Sequence, residues 1–387
     1  MNLNESWLDE FPQDTGLCYL NHAAVAPWPR RAAEAVSAFA HENLQQGARD
    51  YPRWSRTERH LREQLQTLLN SPSSNDIALV KNTSEALSFV AQGIAWDVGD
   101  EVLISDQEFP SNRIPWEALL ELGVTLRSVS LGSQPEQALI NAMTERTRLL
   151  SISSVQYGTG LRMNLQLLGA ACRERNILFC VDAIQTLGAQ PLDVQHIQCD
   201  FAMADGHKWL LGPEGLGVFY CHARVREQLK LTQHGWHMVE AMGDYDRSDW
   251  RPAASARRFE PGSPNTLAQQ ALSASLSLLL DVGLETVASE LDKRICLLAT
   301  LLSALPGVTI LSDLSPERRS GIITFSVSGV DLKPLHRKLM DAGVICALRG
   351  GGIRWSPHFY SSEGNLKLAV SRLDTLIAEA RDNNASR

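Results

Sequence analysis

The sequence lacks several signals that would settle its class early. No stretch reaches the roughly 18 consecutive apolar residues of a membrane span, and Met1 to Phe11 is polar and acidic, without the layout of a secretory signal. No excess of positive charge is present: 36 Lys+Arg stand against 44 Asp+Glu, a net −8 and a pI near 5.7. That argues against nucleic acid as a partner, since a phosphate backbone needs a basic footprint. The seven cysteines, Cys18, Cys172, Cys180, Cys199, Cys221, Cys296 and Cys346, are odd in number and contain no C-x-x-C pair. They fit free thiols in a reducing, cytoplasmic setting better than a disulfide framework or a zinc site. No G-x-G-x-x-G follows a strand pattern and no G-x-x-x-x-G-K-[ST] occurs, so dinucleotide and nucleoside-triphosphate loops have no support.

What remains is a chain of 387 residues with 44% hydrophobic and 21% charged residues, an ordinary globular composition. From about residue 30 to 225, short apolar runs alternate with helical patterns. Ile77–Val80, Glu101–Ile104, Leu149–Ile152, Ile177–Val181 and Gly217–Tyr220 read as strands, with helices at 83–95, around 115–122 and near 165–175. This alternation predicts an α/β fold with a mainly parallel sheet covered on both faces, whose ligands sit at the carboxyl ends of the strands. After about residue 262 the texture changes to long helices (267–280, 284–305), strands at 308–311 and 321–326, and helices at 332–342 and 366–380. The expected organisation is a large domain over 29–262 and a smaller α+β domain from 1–28 and 263–387.

Three places carry residues suited to chemistry. In Ala202-Met-Ala-Asp-Gly-His-Lys-Trp-Leu-Leu-Gly-Pro-Glu-Gly-Leu-Gly217, Lys208 follows a buried strand. A lysine there loses solvent, its pKa falls, and the free amine suits Schiff-base chemistry. The plain alternative is a surface lysine beside a glycine turn. In Cys180-Val-Asp-Ala-Ile-Gln185, Asp182 ends another strand and needs a cationic partner or a helix-capping role. In Lys81-Asn-Thr-Ser-Glu85, Thr83 and Ser84 open a helix whose free amides suit a phosphate, or merely cap it. An amine, a carboxylate and a phosphate cradle are the set that pyridoxal phosphate requires.

On these residues the chain resembles the class V aminotransferase family of fold-type I pyridoxal-phosphate (PLP) enzymes, which holds cysteine desulfurases, selenocysteine lyases and isopenicillin N epimerase. Asp-x-x-Gln, His-Lys and Arg258-Phe-Glu-Pro-Gly-Ser-Pro-Asn265 carry the resemblance, which extends from Tyr19-Leu-Asn-His-Ala-Ala24 to the Arg354 region. It implies that Lys208 is the Schiff-base lysine and proton shuttle, and that Asp182 partners the pyridinium nitrogen. Gln185 lies near the ring's phenolic oxygen, His207, Thr83 and Ser84 hold the phosphate, and Phe109 stacks on the ring. Gly262 and Ser263 reach a neighbouring subunit's phosphate, so a homodimer is implied. Arg354 clamps the α-carboxylate of an amino-acid substrate.

Two departures qualify the resemblance. The interval Ala347-Leu-Arg-Gly-Gly-Gly-Ile-Arg354 has no cysteine where group II desulfurases carry their nucleophile, and Cys346 reads as strand core. Asp205 stands where those enzymes have a phosphate-binding serine. The expected activity is therefore α-proton abstraction from a lysine-bound amino acid, leading to β-elimination as a C–S or C–Se lyase. A class V aminotransferase or an epimerase is the alternative, and a PLP-binding sensor or scaffold is the non-enzyme alternative. His234-Gly-Trp-His237 offers a metal pair but reads better as loop or interface, so no metal is expected. Trp28, Trp54 and Trp116 read as core.

Overall fold

The computed structural model describes residues 5–385. The expected domain ends at residues 1–4 and 386–387 lie outside the described residues.

A short strand, β1 (Cys18–Tyr19), precedes two long helices, α1 (Arg30–Gln46) and α2 (Tyr51–Leu69). The chain then enters the main sheet through β2 (Ile77–Val80), α3 (Thr83–Gly93), β3 (Glu101–Ser105), α4 (Ile114–Glu117), β4 (Thr125–Val129), α5 (Pro135–Ala142), β5 (Thr147–Ser153), α6 (Leu165–Glu174), β6 (Leu178–Asp182), β7 (Phe201–Asp205), β8 (Gly217–Cys221) and α7 (Ala223–Arg226). Asn side chains start two of the helices: Asn82 accepts from the Glu85 amide at α3, and Asn164 from the Leu167 amide at α6. The seven strands lie in the order β2-β8-β7-β6-β5-β3-β4. Pairing from β4 to β7 is parallel, and β8 runs against both its neighbours. A mixed sheet results because β7 and β8 are joined by an 11-residue loop with no crossover helix.

Alternate residues of the sheet feed two cores. Phe179 and Val181 face one that includes Leu61, Leu65 and Leu272; Cys180, Met203 and Phe219 face the other, with Phe89, Trp116 and Phe259. The second half contains α8 (Thr266–Val282), α9 (Leu284–Ser303), β9 (Val308–Ile310), β10 (Ile323–Val327), α10 (Leu332–Asp341), β11 (Val344–Ile345), β12 (Ala347–Arg349), β13 (Gly352–Trp355) and α11 (Glu363–Ala385). Strands β12-β13-β10-β9 form an antiparallel sheet, while β1 pairs in parallel with β11.

The expected division at 262/263 needs a correction. Helix α8 buries Leu272, Leu276 and Leu279 in the core of the main sheet beside α2, so it packs with the first half. The change of allegiance comes within α9: Val287 still packs in the core of the main sheet, and Ile295, Leu298 and Leu302 join the core of the second. Trp28 is also corrected: it is exposed, whereas Trp54 and Trp116 are buried as expected. No single helix among the described residues is long and apolar enough to cross a membrane.

Candidate active site

The carboxyl ends of β6 and β7 deliver Asp182 and Asp205 to one sheet edge, and the loop after β7 adds His207 and Lys208. Glycines hold that loop against the sheet. A Cβ at Gly206 would meet the Leu216 carbonyl at 2.9 Å, and at Gly217 the Ala204 carbonyl at 2.8 Å. With Ala23, Ala24 and Val25 from the N-terminal segment and Arg349 and Arg354 from the second sheet, these residues line a cavity of about 270 Å³.

The Lys208 side chain makes no hydrogen bond or ion pair among the described residues, and its Nζ lies 5.7 Å from the centre of the Phe109 ring. Burial pushes its amine down to about 8; Asp182 pulls the other way and Arg354 adds to the fall. Asp182 is buried, with Oδ1 accepting from the Ile184 amide at 3.0 Å. Burial lifts its carboxyl to about 7 against that amide and Lys208. The amide of Gln185 is pinned at both ends, donating to the Ala23 carbonyl at 3.0 Å and accepting from Trp209 Nε1 at 2.8 Å.

Phe109 is half-exposed, borders the cavity and meets Tyr157 edge-on at 5.1 Å. The preceding Glu108 sets its position. That buried carboxylate accepts from Ser105 Oγ and Asn112 Nδ2, both at 2.7 Å, and from the Ser153 amide. Beside Asp205, the Thr83 Oγ1 and His207 Nδ1 atoms are buried without a hydrogen-bond partner. Burial, with Lys208 adding to it, holds the His207 imidazole down to about 4, hence neutral at ordinary pH.

Arg354 is buried on β13. It donates from Nη1 to the Tyr157 carbonyl at 2.7 Å and leaves Nε unpartnered. Burial and the neighbouring Arg349 charge bring it down to about 10. No cysteine lines the cavity. Cys346 is buried between β11 and β12, and burial pushes its thiol up to about 12.

Not every expected residue converges here. Ser84 stands behind the wall, its hydroxyl donating to Ser111 Oγ at 2.9 Å. Gly262 and Ser263 border a separate outer cleft of about 250 Å³ with Gly215 and Lys81. The expectation of free amides at the start of α3 is corrected in part. The Thr83 amide donates to Asp205 Oδ1 at 3.2 Å, and the Glu85 amide is taken by Asn82. Asp205 therefore does bond through a donor. Its Oδ2 lies 3.8 Å from His207 Nδ1, and burial raises its carboxyl to about 6 against Lys208 and the Thr83 amide.

His234 and His237 are no ligand pair: His234 is exposed and stacks edge-on against Trp250, while His237 is buried beside Glu260. In the group Glu58, His237 and Glu260, Arg62 pairs with both carboxylates at 2.6 Å. Residues that the sequence reasoning did not reach are Glu108, Ser111, Ser153, Tyr157, Glu214 and Arg349. Only Glu108 had a local signal, its place next to Phe109.

The comparisons with known proteins agree with this geometry. The model of the aminotransferase class-V family matches residues 18–358. The chain belongs to that family. A probable cysteine desulfurase of Methanothermobacter thermautotrophicus is 29% identical over 384 residues, covering 92% of this chain and 94% of the relative. Among solved structures, a lysine-to-alanine mutant of C-DES with glycine covalently linked to its PLP cofactor superposes with a TM-score of 0.88 at 24% identity, covering 94% of this chain and 98% of that one. The cystine C–S lyase C-DES in complex with its product cysteine persulfide gives 0.87 at 24%, covering 93% and 98%.

The protein is thus a PLP-dependent enzyme with the fold-type I architecture, and its substrates are amino acids. The cavity fits the cofactor: an unpaired buried amine, a buried carboxylate lacking a cation, and two orphaned polar groups at one end match an aldehyde, a pyridinium and a phosphate. Asp205 is the one group that fits poorly.

Proposed function

We propose that the enzyme is a lyase that removes a β-substituent, a thiol or selenol, from an α-amino acid without an enzyme-bound persulfide. The observation that carries this reading is the composition of the cavity: one reactive amine, one buried guanidinium, and no thiol. When bound, PLP supplies an electron sink for the substrate's α-carbon. Lys208 is the residue that links to it and that takes the α-proton, with an amine that burial keeps partly neutral near pH 8. Asp182 partners the ring nitrogen, and Gln185, held by Ala23 and Trp209, stands beside the ring oxygen. Phe109 covers the ring face, and Thr83 and His207 turn their unpartnered polar atoms to the phosphate. Arg354 takes the substrate carboxylate with a fork fixed by the Tyr157 carbonyl.

The likeness of Arg258–Asn265 to the family's cross-subunit segment supports a homodimer in which Gly262 and Ser263, which line a cleft apart from this cavity, complete the partner's phosphate site. The 29% identical relative is a probable cysteine desulfurase, which favours sulfur chemistry over transamination.

Proton NMR in heavy water, with holoenzyme and a panel including cysteine and cystine, tests the reaction. Pyruvate with released sulfide or persulfide, and no keto-acid co-substrate, is the expected result. Exchange of the α-proton without elimination rejects the lyase. Lys208→Ala is expected to abolish both turnover and the absorbance of the lysine-bound cofactor; retained turnover would remove Lys208 from this role.

A further inference from the structure

Gln185 owes its orientation to two bonds. Its Nε2 donates to the Ala23 carbonyl at 3.0 Å, and its Oε1 accepts from Trp209 Nε1 at 2.8 Å. A flipped amide would set oxygen against oxygen at Ala23 and N–H against N–H at Trp209, so one orientation is fixed. A side-chain amide has two N–H donors. One is spent on Ala23, which leaves the other for a ligand in the cavity that Gln185 lines.

Each end of this arrangement is tied to a histidine. His22 and His358 are both fully buried, their rings lie 5.2 Å apart, and neither borders the cavity. Burial brings His22 down to about 4 and His358 well below its ordinary value, so each ring is neutral at ordinary pH, with one donor and one acceptor. His22 Nδ1 lies 2.8 Å from the Ser356 carbonyl, which can only accept, so Nδ1 carries the proton. Nε2 is then the acceptor and takes the Tyr360 hydroxyl at 2.6 Å. Ser356 passes the hold to Ala23, whose amide donates to Ser356 Oγ at 3.0 Å. At the other end, the Phe359 amide donates to His358 Nδ1 at 2.8 Å. The His358 proton is therefore on Nε2, 3.3 Å from the Trp209 carbonyl.

A buried polar ring costs free energy unless its nitrogens are satisfied. These two rings find their partners on Ser356 and Trp209, the residues that hold Ala23 and Gln185. The N-terminal segment has no other side chain bonded to Ser356 among the described residues, so the place of the Ala23 carbonyl depends on His22.

We infer that His22 is a positioning residue: through Ser356 and Ala23 it aims the free N–H of Gln185 at the oxygen of the cofactor ring. This rests on the placement of Gln185 beside that oxygen given above.

A donor on the ring oxygen draws off negative charge, so the neighbouring lysine-linked nitrogen releases its proton at lower pH. The absorbance of the holoenzyme against pH, without substrate, reads that midpoint. Gln185→Ala is expected to raise it by about one unit, the scale of one hydrogen bond to a charged oxygen. His22→Ala is expected to raise it in the same direction. Tyr360→Phe, which removes only the hydroxyl on Nε2, is expected to raise it by less. His22→Asn, whose amide keeps a donor for the Ser356 carbonyl, is expected to restore most of the native value. In the Gln185→Ala background, His22→Ala is expected to add nothing, because its effect runs through Gln185. A native midpoint in His22→Ala, or a shift as large without Gln185 as with it, overturns the proposal; the second result would make His22 a support of the fold alone. Tyr360→Phe carries the same comparison if His22→Ala does not fold. If Gln185→Ala itself leaves the midpoint in place, the placement of Gln185 falls and takes the proposal with it.

Discussion

Asp205 is the residue whose chemistry sits least easily with its place. It takes the first amide of α3 and faces a neutral imidazole, at the end of the cavity proposed to receive the phosphate. The charged groups around it are Lys208, which stabilises its anion, and Glu214, which opposes it; His207, held down to about 4, stays neutral above that pH. With a carboxyl raised to about 6, Asp205 is anionic above that value and a neutral hydrogen-bond donor below it. An anion beside a phosphate is repulsive, so cofactor affinity is expected to rise as pH falls through about 6. Asp205→Asn keeps the acceptor for Thr83 and removes the charge. It is expected to bind PLP about tenfold more tightly above pH 7, with the slope near pH 6 lost. Equilibrium dialysis of cofactor against protein at several pH values measures both. A weaker Asp205→Asn complex would mean that the carboxylate helps to hold the cofactor.

At the scale of elements, the β12–β13 hairpin joins the proposed substrate-binding Arg354 to a backbone contact. Gly350→Ala places a methyl group where the Gly158 carbonyl already lies and does so at positive φ, so the hairpin must shift. The expected outcome is a rise of tenfold or more in KM for amino-acid substrates, with cofactor absorbance unchanged. The cofactor-facing residues come from other segments. Titration of holoenzyme absorbance with substrate separates the two effects.

This hairpin also shows what the sequence conceals. Its three consecutive glycines were plain to see, and so was Arg354, because the resemblance supplied its role. Arg349 was not, because only the pairing of Ala347 with Arg354 puts it on the same face. The buried runs of β2, β6 and β8 were legible for the opposite reason: each is short, apolar throughout and ends at a turn or a carboxylate. The exposed, polar β4, Thr125–Val129, gave no such pattern. Lys208 and Asp182 were legible because strand ends converge in this kind of sheet. Glu108 and Tyr157 were not, since their loops reach the site only by tertiary packing. The place of α8 was obscured similarly: its apolar face fits either core, and only the contact with α2 decides.

At the scale of the whole molecule, two joints carry predictions. Arg318, in the loop between β9 and β10, reaches across to Glu136 of α5 with Nη1 and Nη2 at 2.5 and 2.8 Å from the two carboxylate oxygens. Glu136 also accepts from the Asn164 amide. Burial works to raise this carboxyl, but Arg318 and the amide outweigh it and hold it below its ordinary value. The pair's contribution is therefore full above the unfolded pKa near 4.5 and is lost as pH falls through the lower folded value. Arg318→Ala, which leaves a buried carboxylate without its cation, is expected to cost about 2–3 kcal/mol at pH 7 and less in acid. Urea unfolding at both pH values checks the difference.

The second joint is the proposed one between subunits. If Gly262 and Ser263 serve the partner's cofactor, Ser263→Glu and Lys208→Ala damage complementary halves of the site. Co-refolding the two inactive variants is then expected to recover about a quarter of native activity, because half of a random mixture is hybrid and each hybrid has one intact site. No recovery would confine each site to one chain.

The 22–24 segment has a consequence for the order in which the site is assembled. His22 bonds the Ser356 carbonyl and the Tyr360 hydroxyl, the Ala23 amide bonds Ser356 Oγ, and Ala23 in turn receives Gln185. One wall of the cavity thus precedes the main sheet in the chain but is held in place by residues that follow it by more than a hundred positions. A chain folded only through the main sheet already owns Lys208 and Asp182, yet its cavity lacks a fixed wall and both arginines. Cofactor capture in its final geometry has to wait for the β12–β13 hairpin and the segment through Tyr360.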